Sequence, residues 1–153
     1  MKGPLQKLQS ILDREYLAPF GSKLILCVSG GSDSTALLHL FHRLSRLYRW
    51  QLNVLHFNHG IRRESDEEAT WVRSITQSLG HSFHLRETRA FQAETVGFQE
   101  KARKWRQIEA LKLNDEIGNN FIATAHHADD QIETWLLKWL RGAHLSGLQG
   151  MSI

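Results

Sequence analysis

The sequence predicts a parallel α/β sheet with helices on both faces, and three observations carry that reading. Short apolar runs alternate with amphipathic stretches of helical spacing along the 153 residues. A Gly-Gly turn rich in hydroxyls, Ser29-Gly30-Gly31-Ser32-Asp33-Ser34, joins the first apolar run to a helix. The segments richest in Gly, His, Arg and Asp, at 29–33, 58–65 and 125–129, all follow expected strands. In a parallel sheet such segments meet at the carboxyl ends of the strands, where ligands bind.

The elements follow in order. Pro4 can open a first helix, with Leu5, Leu8, Leu12 and Tyr16 near one face, and Pro19 and Gly21 close it. Residues 24–28, Leu-Ile-Leu-Cys-Val, read as a buried strand. A helix over about 34–48 carries Leu37, Leu40, Phe41, Leu44 and Leu47 at helical spacing. Strand two is 52–57. Ser65 or Asp66 can cap the next helix, whose apolar stripe is Ala69, Val72, Ile75 and Leu79, with Gly80 ending it. Strand three covers about 82–87, and a polar connector runs over 88–97. A helix over about 98–116 follows, with Ala102, Trp105, Ile108 and Leu111 inward. Residues 121–124 form a fourth strand. A last helix is expected over about 129–141, burying Ile132, Trp135, Leu136, Trp139 and Leu140.

Composition narrows the class. Hydrophobic content of 41% with 23% charged residues suits one soluble globular domain. No apolar stretch is long enough to span a membrane, and Met1-Lys2-Gly3-Pro4-Leu5 lacks the run of a signal peptide, so a cytoplasmic location is the expectation. Cys27 is the only cysteine, which excludes an intramolecular disulfide and reads as a small buried hydrophobe. A net charge of +3 is compatible with an anionic ligand or RNA. His39, His42, His81 and His84 read as core or surface fillers rather than metal ligands.

The Gly-Gly turn is neither common nucleotide loop. No lysine follows as in a Walker loop, and the third glycine of a dinucleotide fingerprint is absent. The glycines still permit positive φ and close approach of a ligand. The free N–H groups at the start of the next helix face the loop, an arrangement suited to phosphate. After strand four, Asp130 and Glu133 are spaced i, i+3 and share a helix face. Two carboxylates there can take Mg²⁺ or an ammonium group, or simply complement the helix dipole. His126 and Asp130 could hold a transition metal, but no third ligand stands at suitable spacing. Arg103 and Arg106 share a face that could neutralise phosphate or lie solvated. Arg62-Arg63 could touch RNA phosphates or simply lie on the surface.

The first motif resembles the Ser-Gly-Gly-x-Asp-Ser loop of the PP-loop ATP pyrophosphatases. Four more segments follow in one order: Asn58-His59-Gly60-Ile61-Arg62, Ala102-Arg103-x-x-Arg106, Ala125-His126-His127-Ala128-Asp129-Asp130-Gln131-Ile132-Glu133-Thr134 and Gly147-Leu148-Gln149-Gly150-Met151. The set resembles the N-terminal catalytic domain of the tRNA(Ile)-lysidine synthetase family, and the resemblance covers nearly the whole chain. It implies a Rossmann-like fold of the adenine nucleotide alpha hydrolase kind. It implies ATP and Mg²⁺ as cofactors, and a ligase that adenylates the wobble cytidine of an isoleucine tRNA with a CAU anticodon. Free L-lysine then displaces AMP to give lysidine. Ser29, Gly30, Gly31, Ser32, Asp33 and Ser34 would bind ATP, with Asp33 and Asp130 holding Mg²⁺. Asp33, Arg103, Arg106, His126 and Asp130 would be catalytic, and Asp130 with Glu133 would bind lysine. His126 could support either the loop or the transition state.

No membrane partner is implied, and a homodimer is left open. The family usually has an aromatic residue directly after the second arginine, where Gln107 stands here. The family also continues past the Gly-Leu-x-Gly-Met segment with a further strand and tRNA-binding domains. Residues 1–153 are therefore expected to be an incomplete PP-loop domain, truncated at the C-terminus, with strand four as an open edge. Two alternatives stay open: another PP-loop ATP pyrophosphatase, or an ATP-binding module without turnover. The lone cysteine argues against tRNA thiolation, which usually draws on a cysteine pair.

Overall fold

The computed structural model describes residues 3–60, 64–90, 96–118, 121–127 and 135–137. Its elements are α1 (Pro4–Arg14), β1 (Lys23–Cys27), α2 (Ser32–Tyr48), β2 (Gln51–Asn58), α3 (Ser65–Ser78), β3 (Ser82–Glu87), α4 (Phe98–Ile117), β4 (Phe121–His127) and β5 (Trp135–Leu137). The sheet order is β3-β2-β1-β4-β5. The first four of these strands are mutually parallel, with Cys27 level with Leu55 on one side and Thr124 on the other. The chain leaves β1 toward β2 and later returns to the other side of β1 as β4. The switch point of the sheet therefore lies between β1 and β4, at the residues that follow Cys27.

Period-two alternation assigns the two faces. Leu24, Leu26 and Val28 of the first strand segment, with Leu52, Val54, Phe121 and Ala123, pack with α1, α2 and Val72 of α3. Ile25, Leu55 and Ile122 point the other way, against Ala110, Leu111 and Leu113 of α4. Helices thus cover both faces, as the alternating pattern predicts.

Several local expectations change. Tyr16 lies beyond the end of α1, at φ +51° and 89% exposed, so it adds nothing to that helix's apolar face. Leu47 and Ile108 are exposed, because α2 and α4 turn other residues onto the sheet. Neither Ser65 nor Asp66 caps α3; the N-cap is Glu64, and Asp66 lies in the first turn. In place of a helix throughout 129–141, residues 135–137 form β5, antiparallel to 125–127. An apolar Trp-Leu-Leu run is good strand material, and pairing it satisfies backbone groups of the β4 edge that would otherwise stay open. The other residues of that expected helix lie outside the described residues.

Candidate nucleotide site

The turn after β1 is built from its own hydroxyls. Gly30 takes φ +95°, a conformation that favours glycine, and reverses the chain into α2. Ser34, buried in the first turn of that helix, reaches back. Its Oγ accepts from the Ser29 N–H at 3.2 Å and donates to the Gly31 carbonyl at 3.0 Å. It also lies 3.0 Å from the Ser29 hydroxyl. The Ser29 Oγ in turn accepts from the Gly31 N–H at 3.4 Å. The Thr35 N–H and hydroxyl both donate to the Gly31 carbonyl, at 3.0 and 2.8 Å.

The result is a closed loop with Gly31 as the N-cap of α2 and no side chain capping the helix. The first-turn N–H groups of α2 and their dipole face the loop, which suits a phosphate. Ser29, Gly30, Gly31, Ser32, Asp33 and Ser34 are thus brought together. Ser34 spends its hydroxyl inside the loop, and Asp33 stands in the helix's first turn.

The neighbouring strand end steadies this turn. His56, buried in β2, has Nδ1 2.8 Å from the Val28 carbonyl, so Nδ1 carries the proton. The Val28 N–H donates to the Leu55 carbonyl at 2.9 Å. The backbone entering Ser29 is therefore held on both of its polar groups. The sequence reading did not single out His56; its only signal is a polar ring inside a run of buried strand residues.

The other side of the site is α4. The His59 ring lies 5.1 Å from the Trp105 ring, and Trp105 meets Phe57 edge-on at 5.6 Å. Arg106 follows Trp105, is half-buried and stands in the electrostatic range of Cys27, Arg103 and His59. Burial, with Arg103 beside it, presses against its charge, yet a guanidinium stays cationic. Arg103 is exposed one turn earlier.

Burial pushes the Cys27 thiol up to about 12, opposed by Arg106, so at neutral pH it is an inert thiol. Burial, then Arg106 and His56, lowers the pKa of His59. The β4 backbone continues through His126 and His127, three residues past the residue level with Cys27. Asp130, Glu133, Arg62 and Arg63 lie outside the described residues.

Among the described residues no group of three His, Cys, Asp or Glu could hold a metal ion, and no helix is long and apolar enough to cross a membrane. The donor set still fits Mg²⁺ in the form that accompanies nucleotides. That ion takes one or two carboxylates and fills its shell with phosphate oxygens and water. Asp33, in the first turn of α2, is such a carboxylate.

Comparison with known proteins decides the family. The PP-loop domain family matches residues 5–153. The chain belongs to the PP-loop family. The tRNA(Ile)-lysidine synthase of Dehalococcoides mccartyi is 34% identical over 150 residues, which cover 95% of this chain and 32% of that protein. That of Clostridioides difficile is 32% identical, with 95% and 32% covered. That of Chlorobaculum tepidum is 36% identical over 152 residues, with 97% and 46% covered. This PP-loop chain therefore spans between a third and a half of the length of these relatives. Among solved structures it is similar to the U34-tRNA thiolase NcsA of Methanococcus maripaludis. The TM-score is 0.70 at 17% identity, covering 80% of this chain and 43% of that one. At that identity the likeness speaks for the fold alone.

Proposed function

We propose that this PP-loop chain carries the ATP-dependent adenylation site of a ligase that forms lysidine in an isoleucine tRNA with a CAU anticodon. The observation that supports it most is the hydroxyl-laced turn at 29–34, set at the β1/β4 switch point, with Arg106 in electrostatic range of Cys27 at the end of β1. Relatives named tRNA(Ile)-lysidine synthase, similar over 95% of the chain, supply the substrate class.

In the proposed reaction the carbonyl oxygen of the wobble cytidine attacks the α-phosphorus of ATP, and pyrophosphate leaves. The ε-amine of lysine, having given up a proton, then attacks the ring carbon that bears this oxygen, the carbon–oxygen bond breaks, and AMP departs with the oxygen. Each residue has a task in this scheme. Backbone N–H groups at 30–33 bind phosphate oxygens, and Ser29 and Ser34 keep the turn in shape. Asp33, with Asp130, would hold Mg²⁺, which supplies charge neutralisation on the phosphates. Arg103 and Arg106 bind phosphate or the adenylated intermediate. Asp130 and Glu133 bind the lysine ammonium, and Asp130 is suited to take its proton. His126 serves the end of β4. The inert Cys27, the only cysteine in the chain, disfavours thiolation.

The test is ATP-dependent incorporation of labelled lysine into the CAU-anticodon isoleucine tRNA, with Asp33→Ala as control. Incorporation abolished by Asp33→Ala supports the proposal. ATP binding without incorporation, in the chain alone and with a relative's remaining domains supplied, would overturn the ligase reading.

A further inference from the structure

A buried carboxamide beside the site has no assigned task. Asn58 ends β2 and is only 3% exposed. Its Nδ2 donates to Asp66 Oδ1 at 2.8 Å and to Glu87 Oε1 at 3.4 Å. Its Oδ1 accepts from the Gly60 N–H at 2.8 Å. Its main-chain carbonyl accepts from the Thr88 N–H at 3.0 Å. One side chain thus joins the end of β2, the first turn of α3, the end of β3 and the turn at Gly60. The chemistry is specific to an amide: both donors meet carboxylates, and the oxygen meets an N–H. An aspartate of the same shape would bury a carboxylate beside those of the exposed Asp66 and Glu87.

The turn that Asn58 fixes is a tight one. Gly60 takes φ +62°, and a Cβ there would come within 3.3 Å of Arg89 Cγ and 3.4 Å of the Thr88 carbonyl. His59 sits between these two fixed residues. Its ring is held against Trp105 at 5.1 Å and near Phe98 at 6.3 Å, and Arg106 is the next residue of α4.

We propose that Asn58 is a positioning residue for the nucleotide site: its hydrogen bonds hold the 58–60 turn so that His59 packs on Trp105 and fixes the place of Arg106. The inference rests on the reading of residues 29–34 and 103–106 as ATP machinery. Asn58 touches no reacting atom in it.

The experiment compares the full chain with Asn58→Asp, Asn58→Ala and the swap Asn58→Asp/Asp66→Asn. The swap restores one amide–carboxylate bond with its direction reversed, and leaves the 58 carboxylate to accept from Gly60. Two readouts are taken: the NMR titration of the His59 ring with the Trp105 indole signal, and the ATP affinity by calorimetry. In the wild type His59 titrates below its ordinary value, opposed by burial, Arg106 and His56.

In both single variants the His59 titration is expected to move back toward about 6.5, and the Trp105 signal to shift. ATP is expected to bind about tenfold more weakly if the turn is formed one-tenth of the time. The swap is expected to recover all three. A folded Asn58→Asp chain with unmoved His59 and Trp105 signals overturns the proposal, as does a folded swap that recovers nothing. Should Asn58→Asp fail to fold, Asn58→Ala decides by the same criteria, since it buries no carboxylate. A wild-type chain that binds no ATP overturns the nucleotide reading, while the ring signals judge the positioning role by themselves.

Discussion

Ser34→Ala isolates the internal wiring of the phosphate turn. The substitution removes a buried hydroxyl that accepts from the Ser29 N–H and donates to the Gly31 carbonyl. The two partners fare differently. The Gly31 carbonyl keeps the Thr35 N–H at 3.0 Å and the Thr35 hydroxyl at 2.8 Å. The Ser29 N–H loses the one partner it has among the described residues. Two part-buried hydrogen bonds at about 0.5–1.5 kcal/mol each make the loss about 1–3 kcal/mol. Alanine regains roughly 0.5 kcal/mol of helix propensity in the first turn of α2.

The net loss is therefore about 0.5–2.5 kcal/mol, and at about 2–4 °C per kcal/mol for a chain of this size the melting temperature should fall by about 1–10 °C. Thr35→Ala is the matched control. It deletes one of three donors to the same carbonyl and should cost about 0.5 kcal/mol. Thermal melts followed by circular dichroism, with ATP binding measured in parallel, give the comparison. If Ser34→Ala melts no lower than Thr35→Ala and binds ATP as the wild type does, the hydroxyl network does not hold the turn and the argument fails.

Three further outcomes follow from the same structure. Gly30→Ala forces a Cβ into φ +95°, where Val72 Cγ2 at 3.4 Å leaves just enough room, so the cost of about 1–2 kcal/mol is mainly backbone. Urea unfolding should show that modest loss and calorimetry a larger loss of ATP binding; unchanged binding would remove Gly30 from the site. Burial, the largest cause at each, lowers the pKa of His42, His59, His81 and His84. The unfolded chain then binds protons that the folded chain refuses, so stability is full above about pH 6.5 and declines as pH falls below it. Denaturation midpoints should drop between about pH 7.5 and 5.5, and replacing both members of the His42–His81 pair (2.9 Å apart) with Gln should flatten the decline. Trp50→Phe removes the indole N–H that the Ala18 and Pro19 carbonyls share at 3.0 and 3.1 Å; Pro19 keeps the Ser22 hydroxyl and N–H, so the Ala18 carbonyl alone is stranded, at about 1–3 kcal/mol. Limited proteolysis should then open the 15–22 segment first, and unaltered cleavage there would show that the indole does not hold it.

What the sequence made legible is what local chemistry determines. The turn at 29–34 could be read because its glycines, hydroxyls and helix start lie within six consecutive residues. The strands could be read because 24–28 and 52–57 are apolar runs between breakers. His56 and Asn58 were illegible for the opposite reason. Each is a polar residue in an apolar strand, and its meaning lies in partners far along the chain: Val28 for His56, and Asp66 and Glu87 for Asn58. Ile108 misled because helical spacing names a face without saying what the face meets. On α4 the buried residues are Ala102, Ala110, Leu111, Leu113 and Asn114, which share Ala102 and Leu111 with the expected stripe but leave Ile108 out. The expected helix over 129–141 ignored the adjacent sheet edge, whose unpaired backbone competes for any apolar segment that reaches it.

The two faces of the sheet also divide the work. Among the described residues the cluster under α1, α2 and α3 contains sixteen buried side chains, and the cluster under α4 contains six. Hydrophobic stabilisation scales with apolar area removed from water, so the phosphate turn and α2 stand on the better-anchored face. α4, which carries Arg103 and Arg106, is held by the smaller cluster and by peripheral contacts. These are Trp105 against Phe57 and His59, and Arg86 bridging to Glu109 and Glu116. Elements with fewer buried apolar contacts open at lower cost. A firmly anchored 29–34 turn with a more weakly anchored arginine helix suits the proposed adenylation site, which would admit both a nucleotide and an RNA base. It also explains why the contacts of His59 matter beyond their own area: they lie at the end of α4 that bears the arginines, away from the apolar anchor at 110–113.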